Sequence, residues 1–207
     1  MSRRVAVLVS GSGSNLQAMI DARARGELTA ELALVISNRP GVRALERAAG
    51  AQIETLVIDH KAYANREAFD EALHSALVAH GIDLVVLAGF MRLLTPTFVS
   101  RWRGRLVNIH PSLLPAFPGA HAIRDAIAAK ADRSGVTIHF VDEGTDTGPI
   151  IAQTAVPVLP EDTEETLATR IHAEEHRLYP RVVEALTLGV VKLDGRSVIG
   201  TVGATQS

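Results

Sequence analysis

The sequence predicts an α/β protein: a mostly parallel, twisted sheet with helices on both faces, in a single domain spanning residues 1–207. Three observations lead there. Short continuous apolar runs such as Val5–Val9, Leu32–Ile36 and Leu84–Ala88 have the length and the lack of alternation of strands buried on both faces. Between them lie stretches of helical periodicity, and strict alternation of strand and helix calls for parallel strands joined by right-handed crossovers. The chain is also long enough to bury one sizeable core, and no linker or internal repeat divides it. The arrangement expected is Rossmann-like.

The elements follow in order. After the strand Val5–Val9, the residues Leu16, Met19, Ile20 and Ala24 recur at helical spacing, and Gly26 closes that helix. Leu32–Ile36 is a second strand, Val42–Ala49 a short helix ending at Gly50, and Thr55–Ile58 a third strand. Phe69, Ala72, Leu73, Ala76 and Leu77 mark a long amphipathic helix that stops at Gly81. Leu84–Ala88 is the fourth strand and the most apolar. Thr95 as cap and Pro96 at the first helical position open a helix that ends by Gly104, and Leu106–Ile109 is the fifth strand. Beyond residue 110 the rhythm changes. Pro111, Pro115, Pro118 and Gly119 mark an irregular segment, followed by a helix near Ile123–Lys130. Val136, Ile138 and Phe140 alternate as a strand, and Pro149–Val158 reads as another. Asp162-Thr163-Glu164-Glu165 resembles a capping box for a long helix reaching about Leu186, with a bend expected at Pro180. Asp194-Gly195 suggests a closing hairpin, and the tail at about 200–207 is expected to fray.

Composition narrows the functions. Lys plus Arg number 21 against 23 Asp plus Glu, a formal charge of −2, and aromatic residues make up 4% of the chain. A basic footprint and a stacking platform for nucleic acid are both missing, so no nucleic-acid partner is expected. The chain has no cysteine, which removes disulfides, thiolate nucleophiles and Cys-type zinc sites together. No apolar stretch approaches a membrane span, and Ser10-Gly11-Ser12 interrupts the short run after Arg3-Arg4 that superficially suggests a signal peptide. A cytoplasmic protein with small-molecule partners is expected, as a monomer or homodimer.

In open parallel sheets, ligands bind beyond the carboxyl ends of the strands. Three unusual segments converge there: Ser10-Gly11-Ser12-Gly13-Ser14-Asn15, Gly89-Phe90-Met91-Arg92 and Asn108-Ile109-His110-Pro111. The first is not a GxGxxG motif, because Leu16 holds the third glycine position, and it lacks the lysine of a P-loop. It is either a phosphate cradle at a helix N-terminus or a tight turn capped by Ser or Asn. Asn108 and His110, two apart on a strand, share a face. They suit stabilisation of an acyl-transfer oxyanion, unless His110 is simply a satisfied strand-end histidine. No HExxH or second clustered histidine supports zinc, and no metal is expected. The loop Asp142–Gly148 offers three carboxylates, either solvated or set beside His110 to favour its imidazolium form. Phe90, Met91, Leu93 and Leu94 line a slot for a flat heterocycle or belong to the core beneath the next helix.

Together these residues resemble the phosphoribosylglycinamide formyltransferase family, folate-dependent enzymes of purine synthesis. The resemblance runs from Val5 to about Val183. It is carried by Ser10-Gly11-Ser12-Gly13-Ser14-Asn15-Leu16, Leu87-Ala88-Gly89-Phe90-Met91-Arg92, Asn108-Ile109-His110-Pro111-Ser112-Leu113-Leu114-Pro115 and Asp146-Thr147-Gly148-Pro149. It implies that Asn108, His110 and Asp146 are the catalytic trio, and that Gly13, Ser14, Asn15 and Glu175 bind glycinamide ribonucleotide. It also implies that Met91, Arg92, Leu93 and Leu94, with Asn108, hold 10-formyltetrahydrofolate, and that Arg66 contacts the folate at a carboxylate of its glutamate tail. The N-terminal half would then serve the ribonucleotide, and the C-terminal half the folate and the chemistry. Two related groups fit less well. Methionyl-tRNA formyltransferases resemble longer chains with an added tRNA-binding domain, and formyltetrahydrofolate deformylases typically have a second histidine in place of Pro111. A non-catalytic folate or nucleotide binder leaves the trio without a purpose. One departure stands: some relatives carry a second histidine at the position of Ile123, while this chain keeps only His121.

Overall fold

The computed structural model describes residues 3–203. Seven strands form one sheet in the order β3-β2-β1-β4-β5-β6-β7. The first five are β1 (Arg4–Val9), β2 (Glu31–Ser37), β3 (Glu54–Val57), β4 (Leu84–Leu87) and β5 (Leu106–His110), and every pairing among them is parallel. β6 (Arg133–Phe140) and β7 (Ile150–Pro157) then add on antiparallel. A separate hairpin, β8 (Lys192–Asp194) with β9 (Ser197–Ile199), forms where Asp194-Gly195 suggested one, turning through Gly195-Arg196 with Asp194 as the last residue of β8. Within the tail expected to fray, residues 204–207 lie outside the described residues.

Helices cover both faces. α1 (Ser14–Ala24), α2 (Arg43–Gly50), α5 (Ala122–Ala128) and α6 (Glu164–Thr187) lie on one side, over Val5, Val7, Val9, Val107, Ile109, Val136 and Ile138. α3 (Arg66–Ala79) and α4 (Pro96–Arg101) lie on the other, over Ala6, Leu8, Leu34, Ile36, Val85 and Leu106. The central strands are therefore apolar on both faces, which is why they read as unbroken apolar runs. α4 begins as its sequence dictates, with Thr95 Oγ1 accepting the Phe98 N–H at 3.3 Å and Pro96 in the first turn. α6 departs in one detail. Its capping box pairs Thr163 with Thr166, not with a glutamate. Burying Tyr179 of α6 calls for a partner for its hydroxyl, and that group donates to the Leu87 carbonyl at 2.8 Å.

The core under α3 and α4 takes in β4 and the start of β5 but no residue of β6 or β7. Leu106 closes that core, and further along the same face come Asn108 and His110. The antiparallel register sets His139 opposite Asn108 and Thr137 opposite His110. A row of buried or half-buried polar groups thus lies where the helical cover ends.

Candidate active site

The carboxyl edge of the sheet is tied together at Ser10. The Met91 N–H donates to Ser10 Oγ at 2.8 Å, and that hydroxyl donates to Asn38 Oδ1 at 2.6 Å. The chain then turns into α1 at Gly13, where φ is +70° and a Cβ would stand 2.6 Å from Ala44 Cβ. Only glycine meets both demands. Arg47 of α2 grips this turn by donating from Nε to the Ser12 carbonyl at 2.9 Å. No side chain caps α1, and its first turn holds no acidic residue. Of the two sequence readings, the turn capped by Ser or Asn is therefore not what forms. The first-turn amides and the positive end of the helix dipole are left to suit an anion. Asn15 reaches sideways instead, donating from Nδ2 to Glu175 Oε2 of α6 at 2.9 Å. Both side chains are buried, and among the described residues Asn15 Oδ1 has no partner. His172 Nδ1 lies 2.9 Å from the same Glu175 oxygen, and that hydrogen bond raises the His172 pKa above its ordinary value. A cavity of about 290 Å³ opens beside Ser14, reaching Arg47 and His176.

The chemistry-bearing groups meet at β5. His110 Nε2 lies 2.8 Å from the Phe117 carbonyl and Nδ1 lies 3.4 Å from Asp146 Oδ2. Both neighbours are acceptors, so a ring protonated on both nitrogens satisfies both. Asp146 belongs to the irregular loop between β6 and β7 and sits at φ +55°, a left-handed conformation that Asp tolerates better than most residues. Gly148 pins this loop: its backbone is so close to the Phe140 carbonyl that a Cβ there would overlap it. The Gly119 N–H donates to Asp146 Oδ2 at 2.8 Å, and His139 Nε2 stands 3.7 Å from Oδ1. His139 first, then the Gly119 amide and the charge on His110, hold the Asp146 carboxyl down to about 2 against the cost of its burial. At 3.7 Å the His139 contact is too long for a formed hydrogen bond, so the Gly119 amide at 2.8 Å is the firm contact that favours the ionised carboxylate.

Of the loop's three carboxylates only Asp146 turns inward. Asp142 accepts from Thr147 Oγ1 at 2.6 Å and faces Arg196 of the hairpin turn at 3.3 Å, and Glu143 is exposed. The apolar segment after β4 divides between its two readings. Phe90 and Leu94 pack on the α3–α4 core, whereas Met91 and Leu93 stand 68% and 63% exposed. Arg92 lies over the Phe69 ring, 5.2 Å from its centre, and the Thr95 N–H donates to Asp70 Oδ2 at 2.6 Å. Arg66, exposed, opens α3 one turn before that pair, and is not drawn into the group around His110. His121 is exposed at the start of α5. Among the described residues no group of three or more His, Asp or Glu could hold a metal ion.

Glu175 is the residue whose position is least expected from its surroundings in sequence. It lies in a charged stretch of a helix yet is buried against Asn15, 160 positions away. Nothing in the sequence motifs singles out His139. Its signal was faint: Thr137 and His139 are the polar partners in an alternation with Val136, Ile138 and Phe140, and only strand register shows that they face Asn108 and His110.

The uncapped start of α1 and the Asn108–His110–Asp146 group thus stand at the same edge of one mostly parallel sheet. The family profile described as formyl transferase matches residues 3–183, and the chain belongs to that family. Its likeness to one branch is close. The phosphoribosylglycinamide formyltransferase of Bacillus subtilis is 42% identical over 184 residues, 89% of this chain and 94% of that one. The crystal structure of glycinamide ribonucleotide transformylase 1 from Symbiobacterium toebii superposes with a TM-score of 0.93 at 48% identity, covering 97% of this chain and 94% of that one. The trifunctional purine biosynthetic protein adenosine-3 of Drosophila melanogaster is 56% identical over 190 residues, 90% of this chain. This chain spans 14% of that protein's length.

Proposed function

We propose that the protein transfers the formyl group of 10-formyltetrahydrofolate to the amino group of 5-phosphoribosylglycinamide, giving the formylated ribonucleotide and tetrahydrofolate in de novo purine biosynthesis. The observation that carries this reading is the Asp146 carboxylate set against His110, with Asn108 on the same strand face. In this reading the amides at Gly13, Ser14 and Asn15 hold the ribonucleotide phosphate, and Glu175 holds its sugar or amine end from α6. Exposed Met91 and Leu93, with Arg92 and Leu94, flank the pteridine, and Arg66 meets the glutamate tail. The N-terminal half thus builds the cradle for the ribonucleotide. The C-terminal half supplies the Asn108–His110–Asp146 chemistry, and no metal takes part.

The step balances with the two substrates alone. The amine nitrogen attacks the formyl carbon and forms the new C–N bond, while the carbonyl electrons move to oxygen. The Asn108 amide and the charged His110 stabilise that oxyanion, and Asp146 favours the charged form of His110. The oxyanion collapses, the bond to folate N10 breaks, and the proton lost by the amine passes to N10 through His110 or a water. The test is to incubate the protein with 10-formyltetrahydrofolate, with and without glycinamide ribonucleotide, and to follow folate absorbance. Turnover that requires the ribonucleotide and survives EDTA is expected. Turnover without the ribonucleotide would make the protein a deformylase, and no turnover would leave a binding protein.

A further inference from the structure

His139 is a buried imidazole, 2% exposed, to which the formyl-transfer reading gives no task. Strand pairing places it directly across from Asn108, and its Nε2 lies 3.3 Å from Asn108 Nδ2. Its Nδ1 lies 2.9 Å from the Phe140 carbonyl oxygen. A carbonyl only accepts, so Nδ1 carries a proton. In the neutral ring Nε2 then presents a lone pair, and the amide nitrogen of Asn108 is the donor facing it. The Asp146 carboxylate, 3.7 Å from Nε2, lies beyond hydrogen-bond distance.

This arrangement matters because an asparagine amide can flip, exchanging a donor for an acceptor at nearly the same position. Nothing in Asn108 itself decides which end faces the reacting oxygen. An acceptor fixed across the strand does decide it: one N–H of Asn108 is taken, and the second is held in the amide plane. We propose that His139, as the neutral ring protonated on Nδ1, is a positioning residue for the reaction. It accepts one N–H of Asn108 and thereby presents the other to the oxyanion. The proposal rests on the formyl-transfer reading, but its hydrogen bond exists or fails independently of substrate.

The test compares two uncharged replacements. In His139→Gln the terminal amide reaches about where Nε2 stood and can still accept from Asn108. In His139→Asn it reaches only the Nδ1 position and can satisfy Phe140 but not Asn108. A residue that merely fills space and caps the Phe140 carbonyl predicts no advantage for Gln. Positioning predicts that His139→Gln keeps kcat within about fivefold, while His139→Asn loses roughly 20-fold or more with KM for both substrates little changed. Nitrogen-15 NMR of the wild-type imidazoles, free of ligand at neutral pH, should show His139 protonated on Nδ1 and bare on Nε2, with the Nε2 shift moving in Asn108→Ala. Equal kcat in the two variants, a loss confined to KM, or a protonated Nε2 would overturn the proposal. If both variants fail to fold, the wild-type NMR result decides. Wild-type protein that never transfers formyl would refute the functional reading instead, and leave the NMR result to judge the Asn108–His139 bond.

Discussion

At the scale of single residues, Asn108, His110 and Asp146 have different tasks in the proposed reaction, and the three should fail differently. In the proposed reaction Asn108 gives a donor to the oxyanion, so Asn108→Ala should lower kcat by ~10²-fold while KM for either substrate changes little. His110→Ala should do the same, and near-normal kcat in either variant would remove that residue from the mechanism. Asp146 also leaves a trace in stability. Its folded pKa of about 2 lies below the ordinary 3.8, so the ionised form is favoured by folding. That contribution is complete above about pH 5 and is lost as pH falls through the folded value. Its size is roughly 1–2 kcal/mol, because the side chain is largely shielded from solvent but not wholly so. Asp146→Asn, which also tolerates the left-handed backbone, should therefore be less stable than wild type at pH 6. Urea unfolding at several pH values should show that gap narrowing to about half by pH 3. A gap independent of pH would mean that the carboxylate charge is not what the site holds. Residues of this kind were partly legible in advance. Asn108 and His110 announce themselves by standing two apart at a strand end, and Asp146 was one of three candidates in its loop. His139 could not be found, because a histidine in an alternating strand looks solvated until the pairing register is known.

At the scale of elements, the α1 turn and the segment after β5 carry the predictions. Gly13 has both a left-handed backbone and α2 at van der Waals contact. Gly13→Ala should thus force the turn away from Ala44 and disturb the amides of the first helical turn. The expected outcome is a many-fold rise in KM for the ribonucleotide with KM for the folate little changed. A rise for the folate alone would place the two pockets the other way round. The second element shows what the free site must rearrange. Phe117, itself at φ +54°, puts its carbonyl on His110 Nε2, so direct donation from that nitrogen to an oxyanion needs the contact to open. A structure with a ribonucleotide and a folate analogue bound together should show residues 116–119 displaced from His110. An unchanged Phe117–His110 contact in that complex would leave Asn108 as the direct donor and confine His110 to a charge effect. Element positions were readable wherever burial was two-sided or a cap was explicit, as at Val5–Val9 and Thr95-Pro96. What the pattern left open was direction: Val136, Ile138 and Phe140 announce a strand but not that it runs antiparallel to β5. That orientation is decided by how the proline-rich segment and α5 return the chain.

At the scale of the whole molecule, the sheet order joins parts that the sequence holds far apart. Glu175 meets Asn15 because α6 packs on α1, and Asp146 meets His110 because β6 and β7 fold back beside β5. The same order explains why the polar row is open: α3 and α4 cover β1, β2 and β4, and their layer ends before Asn108. The central claim is that this edge moves a formyl group between two bound molecules and does not release it to water. The most direct measurement follows the carbon itself. With 10-formyltetrahydrofolate labelled in its formyl carbon and glycinamide ribonucleotide present, the label should appear on the ribonucleotide in step with tetrahydrofolate formed, and free formate should stay at background. Label recovered as formate, at a rate indifferent to the ribonucleotide, would contradict the account.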